Sequence, residues 1–222
     1  MILIVKHIQI EGPGTMDEFL KNSILEVKTV ELGQEALPQD LSRIDAVIVL
    51  GGPMNVYEED KYPFLKQESA FLNNVMKAEI PFMGICLGAQ MLARAAGSKV
   101  SKAARKEIGW CRVRLTDEGL RDPLFEGLGK ELEVFQWHED RFDVPEGSSL
   151  LAESDVCPQA FRMGRNAYGL QFHYEVTPDM IARWSREYGY DVDGKKAAND
   201  EFRKTGQRII SNFIKTIKHA KI

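Results

Sequence analysis

The chain has 222 residues, which fits one generous domain better than two. At this size a compact fold buries ~70% of its unfolded surface, so no disulfide or metal staple is needed for stability. Its 29 Lys and Arg against 33 Asp and Glu give a net charge of −4, the wrong sign for a chain-wide phosphate-binding surface, and this excludes nucleic acid as a main partner.

Met1 to Ile10 is rich in β-branched residues and runs into Glu11-Gly12-Pro13-Gly14, whose Gly and Pro stop a strand. Thr15 can cap a short helix through Asn22, and Leu25 to Leu32 then alternates with a strand period. Asp45 to Leu50 is a short apolar strand ending at Gly51-Gly52-Pro53. Helical spacing of Phe64, Leu65, Phe71, Leu72, Val75 and Met76 predicts a helix over Tyr62 to Ala78, and Pro81 to Ile85 reads as a buried strand. A helix follows at once over Leu87 to Ala96, closed by Gly97. Buried strands alternating with helices predict an α/β fold, an open and mostly parallel sheet with helices on both faces. Such sheets bind ligands beyond the carboxyl ends of their strands.

The second half changes character. Glu107 to Leu115, Leu132 to Trp137, Ser149 to Glu153, Gln159 to Met163 and Tyr168 to Glu175 read as successive strands, several of them hairpin-like and therefore antiparallel, before two closing helices. The last helix, about Ala197 to His219, sets Phe202, Ile209, Ile210, Phe213, Ile214 and Ile217 on one stripe that should dock on the core. Its other face carries Arg203, Lys204, Arg208, Lys215, Lys218 and Lys221 with no acid from Phe202 onward, which reads as a solvated face favoured by the helix dipole. The expected division is a domain over residues 1–190 with a helical extension, 191–222, packed on it. The longest nearly apolar run, Ile80 to Ala89, is too short to span a bilayer. Three cysteines, an odd number with no close spacing, and no leader-like N-terminus lead us to expect the cytoplasm.

The chemically informative segment is Gly84-Ile85-Cys86-Leu87-Gly88, an apolar strand passing through a Gly-x-Cys-x-Gly turn into a helix. That is the grammar of a nucleophile elbow: small neighbours let the backbone bend sharply and the nucleophile project above the sheet. The helix N-terminus beneath Cys86 favours the thiolate and offers N–H groups to an oxyanion. A buried, inert cysteine in a packing element is the alternative reading of this segment alone. A nucleophilic Cys needs a base. Of four histidines, His7 falls in the first predicted strand and His219 near a terminus, leaving His138 and His173. Strand alternation puts His173 and Glu175 on one face, where the carboxylate could orient the imidazole.

Gly51-Gly52-Pro53, Gly84 to Gln90 and Gly169-Leu170-Gln171-Phe172-His173-Tyr174-Glu175, in that order, resemble the three signatures of class I glutamine amidotransferase domains. The segments Glu107 to Trp110 and Trp137 to Asp140 resemble the stand-alone, GMP-synthetase-like branch. The resemblance implies a flavodoxin-like sheet with a Cys86, His173, Glu175 triad that hydrolyses the glutamine side-chain amide through a γ-glutamyl thioester. It implies oxyanion donors at the Leu87 and Gly52 amides, and substrate binding by Gly51, Gln90 and the His138-Glu139-Asp140 segment. Where the family commonly has Gly after that histidine, this chain has Glu139, which opens the alternative of a γ-glutamyl peptide or amide as substrate. A separate synthetase subunit is the implied partner, and a non-catalytic interaction module is the third reading.

The cysteines are scattered, with no C-x-x-C or H-x-x-x-H, so no metal is expected. Neither G-x-x-x-x-G-K-[ST] nor G-x-G-x-x-G occurs, so no nucleotide or other cofactor is expected.

Overall fold

A computed structural model describes residues 1–21 and 26–219, with side chains through Ile217. Strands β1 (Ile2–Lys6), β2 (Val27–Glu31), β3 (Ala46–Val49), β4 (Phe82–Ile85), β5 (Val100–Leu115), β6 (Glu131–Phe142), β7 (Ser149–Glu153), β8 (Pro158–Met163) and β9 (Ala167–Leu170) join one sheet in the order β2-β1-β3-β4-β9-β8-β7-β5-β6. From β2 to β9 neighbours pair parallel, and from β9 to β6 antiparallel. The antiparallel strands therefore extend the same sheet.

The inner parallel strands β1, β3 and β4 are apolar on both faces because both are covered. Ile2, Ile4, Ala46, Ile48, Met83 and Ile85 pack with Met16 and Leu20 of helix α1 (Met16–Lys21) and with Ile209, Ile210, Phe213 and Ile217 of α6 (Asp200–His219). Their alternates Leu3, Val5, Val47, Val49 and Phe82 pack with α2 (Phe64–Lys77) and α3 (Leu87–Ala95). A third cluster joins Phe135 of β6 to Met180, Ile181 and Trp184 of α5 (Pro178–Tyr188) and to Phe202 of α6. Thr177 caps α5 by accepting from the Met180 N–H at 3.2 Å, and Gly189 closes it in the left-handed region.

Several expected elements have different bounds. The first strand ends at Lys6, so His7 lies beyond it at the carboxyl edge of the sheet. The strand expected from Glu107 begins at Val100, because its first half pairs with the end of β6 across an irregularity between Lys102 and Glu107 that breaks the alternation. The strand expected over Tyr168 to Glu175 ends at Leu170. The Gln171 N–H still donates to Gln159, but the chain then leaves the ladder to exchange two backbone bonds between His173 and Phe135, at 2.8 and 3.1 Å. A short helix, α4 (Asp117–Arg121), was not anticipated, and Ala197 belongs to a 3-10 turn before α6 rather than to the helix itself. The expected helix end at Asn22 and strand start at Leu25 lie outside the described residues, as do the side chains of Lys218 and Lys221. On the basic face of α6, where the helix has no acid from Phe202 onward, neighbours supply them: Glu18 pairs with Arg203 and Glu126 with Lys215.

Candidate active site

The elbow forms because its glycines let α3 lie directly on the sheet. A Cβ on Gly84 would stand 2.4 Å from the Gly88 carbonyl, and one on Gly88 would stand 2.3 Å from the Val49 oxygen. Between them Cys86 adopts φ 51° and ψ −107°, a conformation that a side-chain-bearing residue rarely takes. Its N–H donates to the Leu170 oxygen at 2.8 Å, tying the elbow to β9. Its Sγ faces a cavity of about 270 Å³ at the carboxyl edge of the parallel strands.

His173 reaches the same cavity from the bent segment after β9 rather than from a strand face, with Glu175 buried behind it. His173 Nδ1 lies 2.6 Å from Glu175 Oε1, and Glu175 Oε2 accepts the Tyr174 N–H at 2.9 Å. The other imidazole nitrogen is left to interact with Cys86, whose Sγ also lies 3.9 Å from the Trp137 carbonyl. Burial pulls the imidazole down, but the charge of Glu175, the hydrogen bonds to Cys86 and Glu175, and the charge of Cys86 outweigh it and hold His173 well above its ordinary 6.5. Trp184 packs edge-on at 5.1 Å, and the turn at Gly14 presses so closely on the Glu175 carbonyl that a Cβ there would lie 2.0 Å from its oxygen.

Among the other expected residues, Gly52, Gln90, His138, Glu139 and Asp140 all line the cavity. Gly51 is pressed behind that wall, its missing Cβ only 2.7 Å from Glu11 Oε2 and 3.1 Å from His173 Cε1. Leu87 opens α3, so its N–H is one that a helix leaves without an internal partner. Gln90 Nε2 is shared between the Asp140 carbonyl and Gln171 Oε1, both at 3.1 Å, leaving its oxygen as the group free to meet a ligand. His138 donates from Nδ1 to the Asp140 carbonyl at 2.9 Å. The Glu139 side chain turns to the rim, paired with Lys102 and Lys106, and Lys102 also pairs with Asp140 at 2.9 Å.

Glu107, His138 and Cys157 bring three ligand-type atoms within 4.8 Å of one another, but protein donors already crowd the shared oxygen. Glu107 Oε2 accepts from Gln159 at 2.8 Å, Ser154 at 3.2 Å and Cys157 at 3.5 Å. Burial and the nearby Glu107 raise the Cys157 thiol to about 12, which suits a donor.

Sequence reasoning missed Glu11, Trp184 and Tyr188, which line the cavity, and the buried pair His7–Glu68 behind it. Glu11 is enclosed beside His173, His7 and Glu175, and burial raises its carboxyl to about 7. The available signal was position: His7 and Glu11 follow the end of a parallel strand, where open α/β sheets place their sites.

The class I glutamine amidotransferase family model matches residues 16–182, a span holding Cys86, His173 and Glu175. This chain belongs to that family. The glutamine amidotransferase-like protein YfeJ of Salmonella typhimurium is 35% identical over 169 residues, 73% of this chain and 71% of that protein. The glutamine-hydrolysing GMP synthase of Thermosipho africanus is 37% identical over 153 residues, 64% of this chain but only 28% of that enzyme. The crystal structure of a Thermotoga maritima glutamine amidotransferase superimposes with a TM-score of 0.85 at 33% identity, covering 97% of this chain and 96% of that one. The amidotransferase domain thus has the flavodoxin-like α/β architecture that its motifs imply. Among the described residues no helix is long and apolar enough to cross a membrane.

Proposed function

We propose that this amidotransferase domain hydrolyses the side-chain amide of glutamine through Cys86, His173 and Glu175, and that the ammonia passes to a separate acceptor enzyme. The observation that carries the reading is the continuous line from Glu175 through His173 to a cysteine on a strained elbow. The proton shared between Cys86 and His173 resides on the imidazole as Sγ attacks the amide carbon. A C–S bond forms, the carbonyl π pair moves to oxygen, and the Gly52 and Leu87 N–H groups receive the oxyanion. Losing one such donor costs roughly a hundredfold or more in rate. His173 gives its proton to the amide nitrogen as the C–N bond breaks, releasing ammonia and leaving a γ-glutamyl thioester. Water then adds, its proton goes to His173, the C–S bond breaks and glutamate departs while the proton returns to sulfur. Residues 1–190 form the domain for this chemistry in our reading, with 191–222 as its helical extension.

The charged rim favours a second reading on the same machinery. Glu139, Lys102 and Lys106 offer ionic contacts to the far end of a γ-glutamyl peptide or amide, and there water is the final acceptor without any partner.

The test measures ammonia, amine and glutamate released from glutamine and, separately, from a γ-glutamyl peptide, with Cys86→Ala as control. Cys86-dependent turnover of glutamine supports the first reading, preference for the peptide supports the second, and turnover that survives Cys86→Ala refutes both. Loss of one sulfur should leave the melting temperature within a few degrees.

A further inference from the structure

Behind the cavity wall lies a buried ion pair that the amide chemistry above does not use. His7, directly after β1, and Glu68, on α2, both have fully enclosed side chains. His7 Nδ1 lies 2.8 Å from the Gly51 carbonyl oxygen, and Nε2 lies 3.1 and 3.3 Å from the two oxygens of Glu68. A carbonyl cannot donate, so Nδ1 carries the hydrogen on the Gly51 side, and with Glu68 ionised Nε2 carries one as well, which makes the imidazole charged. The balance of local forces agrees: burial pulls His7 down, yet the charge and hydrogen bond of Glu68, the Gly51 carbonyl and the charge of Glu11 together raise it above its ordinary 6.5.

The acceptor is what makes the pair informative. Gly51 and Gly52 carry no side chains, and each is enforced by crowding: a Cβ on Gly52 would come within 2.8 Å of Leu87 Cδ2 and 3.0 Å of His7 Cβ. A peptide between two glycines rotates at little steric cost, so sterics alone do not fix its orientation. The peptide is planar and trans, so the Gly52 N–H points opposite to the Gly51 C=O. His7 holds that carbonyl from behind. The N–H is thereby turned to the other side, where Gly52 lines the cavity beside Cys86. A half-turn of the same peptide would aim a carbonyl, rather than an N–H, at any oxyanion.

We propose that His7 and Glu68 are positioning residues that pin the Gly51–Gly52 peptide, so that the oxyanion donor is in place before substrate arrives and without a partner protein. Glu68 orients and charges the ring, and the ring holds the carbonyl. The inference rests on the reading of Cys86 as an acylated nucleophile.

The test replaces both members together, His7→Leu with Glu68→Met, so that no unpaired buried charge remains, and folding is checked by circular dichroism. Two reactions of Cys86 are then compared with the parent. Hydrolysis of glutamine, or of γ-glutamyl p-nitroanilide if the parent prefers it, passes through a carbonyl oxyanion, whereas alkylation by iodoacetamide displaces iodide at a saturated carbon and forms none. The expected result is a kcat lower by about 10²- to 10³-fold with KM within about threefold, and an alkylation rate within about twofold. Asparagine at position 7 can place an amide N–H where Nδ1 stands, so His7→Asn with Glu68→Gln should recover at least about tenfold of the lost kcat. Equal losses in alkylation and hydrolysis in a folded variant, or a kcat within about threefold of the parent, overturn the proposal. Failure of the underlying reading shows elsewhere, as parent turnover that survives Cys86→Ala or as no turnover at all. Independent of any turnover, the imidazole ¹⁵N resonances of His7 at pH 7 should show both nitrogens protonated, and a bare Nδ1 overturns the pin.

Discussion

Glu175 divides its carboxylate between two tasks, with Oε1 on His173 Nδ1 and Oε2 on the Tyr174 N–H. A glutamine here has only one acceptor for two donors, so whichever way it turns, one N–H faces an NH₂ group. We predict that Glu175→Gln lowers kcat by about 10²- to 10⁴-fold with little change in KM, because the loss acts through the imidazole and not on the substrate. A change confined to KM would contradict this role. Glu11 yields a different prediction, one of pH-dependent stability. Burial raises its carboxyl from 4.5 to about 7, so between those values the folded state binds a proton that the unfolded state has released. Stability from this group therefore falls as pH rises through that window, by up to about 3 kcal/mol. The raised His7 and His173 imidazoles act in the same direction, losing their contribution as pH climbs through their folded values. Glu11→Gln should thus be more stable than the parent at pH 8 and close to it at pH 4.5, as read from urea midpoints. Equal differences at both values would show that Glu11 titrates normally.

The α3 element is set on the sheet by the absence of two side chains, and that absence was legible in the sequence. Gly84 and Gly88 flank Cys86 because β3, β4 and the first turn of α3 approach too closely for a Cβ. We predict that Gly88→Ala, whose methyl would meet the Val49 oxygen at 2.3 Å, costs at least about 1–3 kcal/mol in thermal or urea unfolding and displaces Cys86 from His173, reducing kcat as well. An alanine variant as stable and active as the parent would mean that the elbow is looser than its geometry. The parallel strands were legible because burial on both faces leaves an unbroken apolar run, as in Ala46–Val49. His173 and Glu175 were also legible, but by the wrong route. Alternation placed them on a strand, whereas the chain bends after Leu170 to bond with Phe135, a residue 38 positions earlier that no local pattern marks. His7, Glu11 and Glu68 were missed for a related reason. Their roles arise from contacts between β1, α2 and the Gly51 turn, and a histidine placed inside a strand gives no hint that the strand has already ended.

At the scale of the whole molecule, stability and chemistry occupy different ends of one sheet. The cavity opens at the carboxyl edge of the parallel strands, while α6 lays Ile209, Ile210, Phe213 and Ile217 across one face. Phe213 meets Tyr168 edge-on at 6.4 Å near the start of β9, and the chain must run the rest of that strand before it bends toward His173. The elbow, in turn, is tied to β9 at Leu170 and pressed on β3. Phe213 is fully buried, so its truncation opens a cavity that a close-packed face cannot fill. We predict that Phe213→Ala costs about 3–5 kcal/mol and lowers the melting temperature by roughly 6–20 °C. Assayed well below its new midpoint, the same variant should keep kcat and KM within about twofold, because Phe213 meets β9 at Tyr168 whereas the elbow is tied to that strand at Leu170. A kcat that falls in step with stability would show instead that α6 transmits its packing through β9 into the site, and the helix would then belong to the catalytic unit rather than to an extension packed on it.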